Sequence, residues 1–174
     1  MEMERWNLGT SRMFPMPKPD PVRLHSLRTG GQTGVDRAVL DLALASGLKV
    51  RGWCPRGRRA EDGPLHRRYP LDETPSADYA QRTEWNVRDS DGTLVLRRDK
   101  VDPGTALTIR LASRQARPLL LIDLANPLES VTVEQWIQRS GVQHLNIAGP
   151  RESQSPGIYE EACTFLEKLF IHLF

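Results

Sequence analysis

Lysine is scarce in this chain, cysteine is nearly absent, and no hydrophobic run is long. Of 24 basic residues only Lys18, Lys49, Lys100 and Lys168 are lysines. The two cysteines, Cys54 and Cys163, lie outside any CxxC or Cys/His ligand spacing, so no metal cage is indicated. Buried free thiols of a cytoplasmic protein are the expectation. No apolar stretch approaches the roughly 20 residues that span a bilayer. The N-terminus has no apolar h-region of a secretory signal, so neither a membrane partner nor export is expected. A formal net charge of +2 is too small to argue for nucleic acid. Two nucleotide-binding fingerprints are also missing. GxGxxG does not occur, and GxxxxGK[ST] fails because no lysine stands near Thr33.

What is there suits one soluble domain. The 174 residues can bury a substantial core, with 39% hydrophobic and 26% charged residues. The basic residues are overwhelmingly arginine, whose planar fork suits phosphate or carboxylate. A GC-rich genome that favours Arg codons accounts for the bias equally well. Residues 1–21 are rich in Met and Pro, without helix or strand periodicity. They read as a poorly ordered extension, or as a start codon placed too early.

From Val22 strand and helix patterns alternate. Val22–Arg28 reads as a strand, Val35–Ser46 as a helix with Gly47 at C′, and Leu48–Cys54 as a second strand. A Gly-, Pro- and Arg-rich loop covers Pro55–Pro70. Thr74-Pro75 reads as cap and N1 of a helix running to about Arg88. Gly92–Leu96, Pro118–Asp123 and Gln143–Ala148 read as strands. Helices are expected after Asp102 to about Ala116, from a Thr132/Gln135 capping box to Ser140, and from Ser155-Pro156 to the end. Short strands without strict polar alternation indicate a sheet covered on both faces. The expectation for residues 22–174 is a single doubly wound α/β domain: a mostly parallel sheet of about five or more strands, flanked by helices.

In such folds ligands bind beyond the carboxyl ends of the strands. Four loops fall there. The turn Gly30-Gly31-Gln32-Thr33-Gly34 opens a helix that carries Asp36 in its first turn, where backbone N–H groups and the helix dipole favour an anion. The next loop holds Arg56, Gly57, Arg58, Arg59, Glu61 and Asp62, an anion clamp or a solvated ion-paired loop. Arg51, His66, Arg67 and Arg68 could extend it. Gly104-Thr105 and Gly149-Pro150 complete the set. Thr33 is expected to cap the helix, and its hydroxyl could also reach a phosphate. Asn86, Ser90 and Asp91 are candidate polar contacts, or simply helix-end chemistry. Trp85 reads as a core residue, and Trp53 as packing beneath the arginine loop.

Together these words resemble one family. Gly30 to Ala38, Gly52 to Gly63, Tyr69-Pro70-Leu71 through Thr74-Pro75 and Tyr79, Arg82 to Asp91, and Asn146 to Arg151 are similar to motifs of the molybdenum carrier (molybdenum-cofactor carrier) proteins. That family belongs to a Rossmann-like superfamily that also holds lysine-decarboxylase-like nucleotide phosphoribohydrolases. The resemblance covers roughly residues 24 to 170. It implies a cytoplasmic homo-oligomer, a dimer or tetramer, that binds the phosphate-bearing pterin of molybdenum cofactor (molybdopterin) and serves molybdoenzymes. On that model the phosphate meets the helix start with Arg56 or Arg58, and Glu61, Asp62 or Asp91 pairs with the pterin edge. The related hydrolases place a catalytic glutamate after a glycine motif, and here Thr108 stands in that place. Binding without catalysis is therefore expected. The alternatives are a nucleotide-binding sensor, or a nucleotide 5′-monophosphate N-glycosidase using Glu61 or Asp62. Gly31→Val is expected to cut affinity and leave the fold largely intact.

Overall fold

The computed structural model describes residues 24–98 and 101–174. The expected extension 1–21 and the start of the Val22 strand lie outside them. The elements run β1 (Ser26–Arg28), α1 (Val35–Ala45), β2 (Val50–Arg51), β3 (Trp53–Cys54), β4 (Arg59–Ala60), β5 (Gly63–Pro64), β6 (Asp72–Glu73) and α2 (Tyr79–Arg88). They continue with β7 (Gly92–Arg97), α3 (Pro103–Arg114), β8 (Leu119–Asp123), α4 (Ser130–Ser140), β9 (His144–Ala148) and α5 (Ile158–Leu173).

Five strands form one parallel sheet in the order β2-β1-β9-β7-β8. The central strands are covered on both faces, one of them apolar and the other carrying Val95 with buried Ser26, Thr93 and Asn146. Leu27, Leu94, Leu96, Leu145 and Ile147 are all fully buried. Each such side chain contributes about 1.5–3 kcal/mol by leaving water. Helices α1 and α5 pack against each other on one side, with α4 beside α5, while α2 and α3 pack together. Val35, Ala38, Val39 and Ala43 are the buried stripe of α1, and Ala162, Phe165, Leu166 and Leu169 that of α5.

If the last strand were moved to the front of the chain, the order would become 3-2-1-4-5, that of a Rossmann sheet without its sixth strand, with its switch point between the first and fourth strands. Here the switch falls between β9 and β7. The turn of the leading strand in that order is supplied by the C-terminal Gly149–Gly157 loop.

Four boundaries differ from the sequence expectations. Leu48–Cys54 is not one strand. At Gly52 (φ +149°) the chain passes so close to β1 that a Cβ would lie 2.0 Å from the Thr29 carbonyl oxygen. The chain leaves the sheet there, and β3 pairs with β6 instead. Thr74 caps no helix: its N–H donates to the Cys54 carbonyl at 2.8 Å, and α2 starts later with Asp78 as its cap. The Thr132/Gln135 box does not form, since α4 begins at Ser130, before it. The last helix likewise starts at Ile158 rather than at Ser155.

Candidate functional site

The glycine turn joins β1 to α1 at the carboxyl edge, as expected. Gly30 and Gly31 follow β1, and Gly34 is the N-cap residue of α1. The Val35 N–H donates to the Pro150 carbonyl at 3.2 Å, so the first and last motifs are stitched together at the helix start. A Cβ on Gly149 would lie 2.4 Å from the Leu96 carbonyl, which ties the same loop to the end of β7. Thr33 does not cap α1. Its hydroxyl donates to Glu61 and accepts the Glu152 N–H at 3.1 Å.

Gln32 is 5% exposed, and its Oε1 accepts the N–H groups of Thr33 (3.0 Å) and Glu61 (2.8 Å). Its Nε2 is buried without a hydrogen-bond partner. Asp36 accepts the Gln32 N–H at 3.2 Å and pairs with Arg82 Nη1 at 2.9 Å. The pair is nearly sealed, with side chains 15% (Arg82) and 3% (Asp36) exposed. It links α2 to α1 over Gly30, where a Cβ would lie 1.6 Å from Arg82 Nη1. Arg82 Nε and Thr29 Oγ1 are also buried without partners. Among the described residues, the N–H groups of Gly30, Gly31 and Gly34 have no acceptor.

The arginine loop is different. Residues 59–64 form an antiparallel hairpin with Glu61-Asp62 at its tip. Arg58 sits at φ +51° and turns inward. Its guanidinium donates to the carbonyls of Leu71 (2.9 Å), Tyr69 (2.9 Å), Leu65 (3.2 Å) and His66 (3.2 Å). It is a staple for the 65–71 segment. Arg56 and Gly57 are exposed, and their N–H groups bond Ser76 and Glu73. Glu61 meets Thr33 and Ser153, with Arg151 at 3.8 Å. Burial works against its charge, but the hydrogen bonds from Ser153 and Thr33 prevail and hold its carboxyl below the usual range. Asp62 is gripped by both terminal nitrogens of Arg37, at 3.0 and 3.1 Å, and that hydrogen bonding lowers its pKa.

The remaining candidates divide by edge. Asn86 accepts the Trp53 N–H at 2.8 Å and donates to the Trp53 carbonyl at 3.0 Å, fastening α2 to β3. The Ser90 hydroxyl donates to the Asn86 carbonyl at 2.7 Å. Asp91 accepts the N–H groups of His144 (2.8 Å) and Gln143 (3.1 Å). Ser90 and Asp91 therefore sit at the amino edge of the sheet, away from the glycine turn, because they precede a strand of a parallel sheet. Asp91 is not among the groups the structure brings to that turn. At the carboxyl edge Gly104 and Thr105 start α3, and both N–H groups already bond Asp102. Thr108 bonds the Gly104 carbonyl at 3.3 Å.

Arg82 and Arg98 were not singled out from the sequence. Arg98 crosses the switch point from the end of β7 to Pro156 O (2.7 Å), Ser155 and Glu161. The sole sequence signal for Arg82 was its place in the third motif. Three cavities of about 650, 730 and 330 Å³ lie elsewhere: between Leu124–Val131 and α5, along β2, and around Arg37 and Tyr69. None of the three is lined by the glycine turn.

Comparison with known proteins agrees with this architecture. The model of the circularly permutated YpsA SLOG family matches residues 27–170. No curated protein matches. A 1.45 Å crystal structure of a putative molybdenum carrier protein from Syntrophus aciditrophicus SB superposes with a TM-score of 0.81 at 40% identity, over 86% of this chain and 96% of that one. The permuted strand order and the match along most of the chain lead to one conclusion: the chain belongs to the circularly permutated YpsA SLOG family.

Proposed function

We propose that the protein is a carrier that holds molybdenum cofactor by its phosphate at the carboxyl edge of the sheet, beside the glycine turn. The observation that carries this reading is the group of polar atoms without partners around that turn: Thr29 Oγ1, Gln32 Nε2 and Arg82 Nε. Buried polar groups are almost always paired, so a cluster of unpaired ones calls for an explanation. Two of the three are N–H donors, which suit an oxyanion. Among the described residues, no group of three or more His, Cys, Asp or Glu side chains could ligate a bare metal ion. An organic anion that encloses its metal fits better. The 40% identity to a protein described as a molybdenum carrier supports the choice of cargo.

Binding without catalysis is part of the proposal. A general acid near neutral pH needs a raised carboxyl pKa, whereas Glu61 and Asp62 are both lowered. Thr108 offers only a hydroxyl bonded within its own helix. Self-association and delivery to molybdoenzymes belong to the same proposal, with exposed Leu121, Leu128, Val131 and Ile171 as available apolar surface. No helix among the described residues is long and apolar enough to cross a membrane.

The test is a titration of purified protein with molybdenum cofactor, molybdate and nucleoside monophosphates, with free base assayed alongside. Saturable cofactor binding is expected, without release of base. Tight nucleotide binding with no cofactor binding replaces the carrier by a nucleotide sensor. Release of base makes the protein an N-glycosidase.

A further inference from the structure

We infer that Arg82, rather than Arg56 or Arg58, is the side chain that binds the anionic group at the glycine turn. This rests on the reading of that turn as an anion site and names the residue that does the binding.

Arg82 reaches from α2, across the end of β1, to Asp36 on α1. Gly30 makes the crossing possible, because any Cβ there would occupy the place of Nη1. Asp36 holds one guanidinium nitrogen, and Nε has no partner. An ion pair this deeply buried adds little net stability, because desolvation offsets the attraction. A nonpolar pair would close the same gap without leaving Nε unpaired. The placement is intelligible if the guanidinium meets a charged ligand.

The surroundings point the same way. Gln32 is 95% buried by its 5% exposure, and its Nε2 is unpaired. Thr29 is fully buried with its hydroxyl unpaired. The N–H groups of Gly30 and Gly31, directly after Thr29, find no acceptor among the described residues. Donors from α2 and from the turn after β1 thus lack acceptors where Arg82 crosses Gly30, and a multi-oxygen anion can serve several of them at once. Arg58 bonds four carbonyls, and Arg98 bonds Pro156 and Glu161. Arg37 also keeps a buried, unpaired Nε, but Asp62 takes both of its terminal nitrogens, whereas one terminal nitrogen of Arg82 is bonded to Asp36. Of the two arginines the sequence nominated, only Arg56 is exposed, and its guanidinium is not drawn to the turn by any hydrogen bond or ion pair among the described residues.

The experiment titrates the full chain with inorganic phosphate and follows the backbone amide signals of Gly30 and Gly31. Wild type, Arg82→Gln, Arg82→Lys and Arg56→Ala are compared. The unperturbed remainder of each spectrum verifies folding. Saturable shifts are expected in wild type. Arg82→Gln is expected to weaken phosphate about tenfold or more, as loss of a charge-assisted contact does. Arg82→Lys keeps the charge without the fork and recovers part of the loss. Arg56→Ala stays within about twofold. Equal affinity in wild type and both Arg82 variants overturns the assignment and leaves the anion site standing. No saturable response in wild type overturns the anion site itself, and the assignment with it.

Discussion

The glycine turn and the arginine loop are both rich in anion-binding chemistry by composition, yet the fold treats them in opposite ways. In the loop the inward-turned groups are consumed internally. Arg58 serves four carbonyls, and the Glu61 carboxylate ties the hairpin tip to Thr33 and Ser153. At the turn, with a single arginine, donors remain over. The number of arginines in a segment therefore says less about anion binding than whether their N–H groups already have acceptors. A loop without regular structure must satisfy its own carbonyls, and a guanidinium with five donors is well suited to that.

Four substitutions or conditions sharpen the contrast, from large to small. Gly31→Val should be the most damaging. Gly31 sits at φ +79°, and a Cβ would lie 2.6 Å from Leu65 and Leu71. A β-branched residue there is strained and overpacked, at about 3 kcal/mol or more. The sequence-based expectation of an intact fold with weakened binding is thus revised: chemical denaturation should show the loss directly. An unchanged midpoint would mean that the turn is looser than described.

Arg58→Ala comes next. It leaves the carbonyls of residues 65–71 short of donors and should cost about 1–3 kcal/mol. Phosphate affinity, measured where the protein stays folded, should hardly move. Weakened phosphate binding at full stability would restore Arg58 as a clamp and abolish the contrast.

Acid should act on the loop. The folded pKa values of Glu61 and Asp62 lie below their ordinary values of 4.5 and 3.8. Their contribution is complete above those ordinary values and is lost as pH falls through the lower, folded ones. Glu61→Gln should accordingly flatten the stability profile on the acid side of about pH 5. A profile identical to wild type would show that the Thr33–Glu61–Ser153 link holds nothing. Arg56→Ala should do least, within about 0.5 kcal/mol in stability, as for an exposed charge without a fixed partner.

Much of this was legible in one dimension. Apolar runs bounded by Gly and Pro located all five strands of the parallel sheet, and helix periodicity located the helices between them. The side of the sheet on which Ser90 and Asp91 fall was legible too, since both precede a strand, but their polarity drew more notice than their position. The start of α2 was not, because Thr74-Pro75 has the form of a helix cap while its backbone pairs with Cys54. A local signal lost there to a tertiary hydrogen bond.

The alternation of strand and helix, the parallel sheet and the gathering of four loops at its carboxyl edge follow from the sequence alone, because period and turn chemistry are local properties. Which donors at that edge remain without acceptors was decided only by the tertiary structure. Arg82 meets Asp36 across 46 positions of chain, and Arg58 meets carbonyls 7 to 13 residues away. Whether a polar group is paired is a property of its neighbours in space, and those neighbours are set by how the layers close over Gly30.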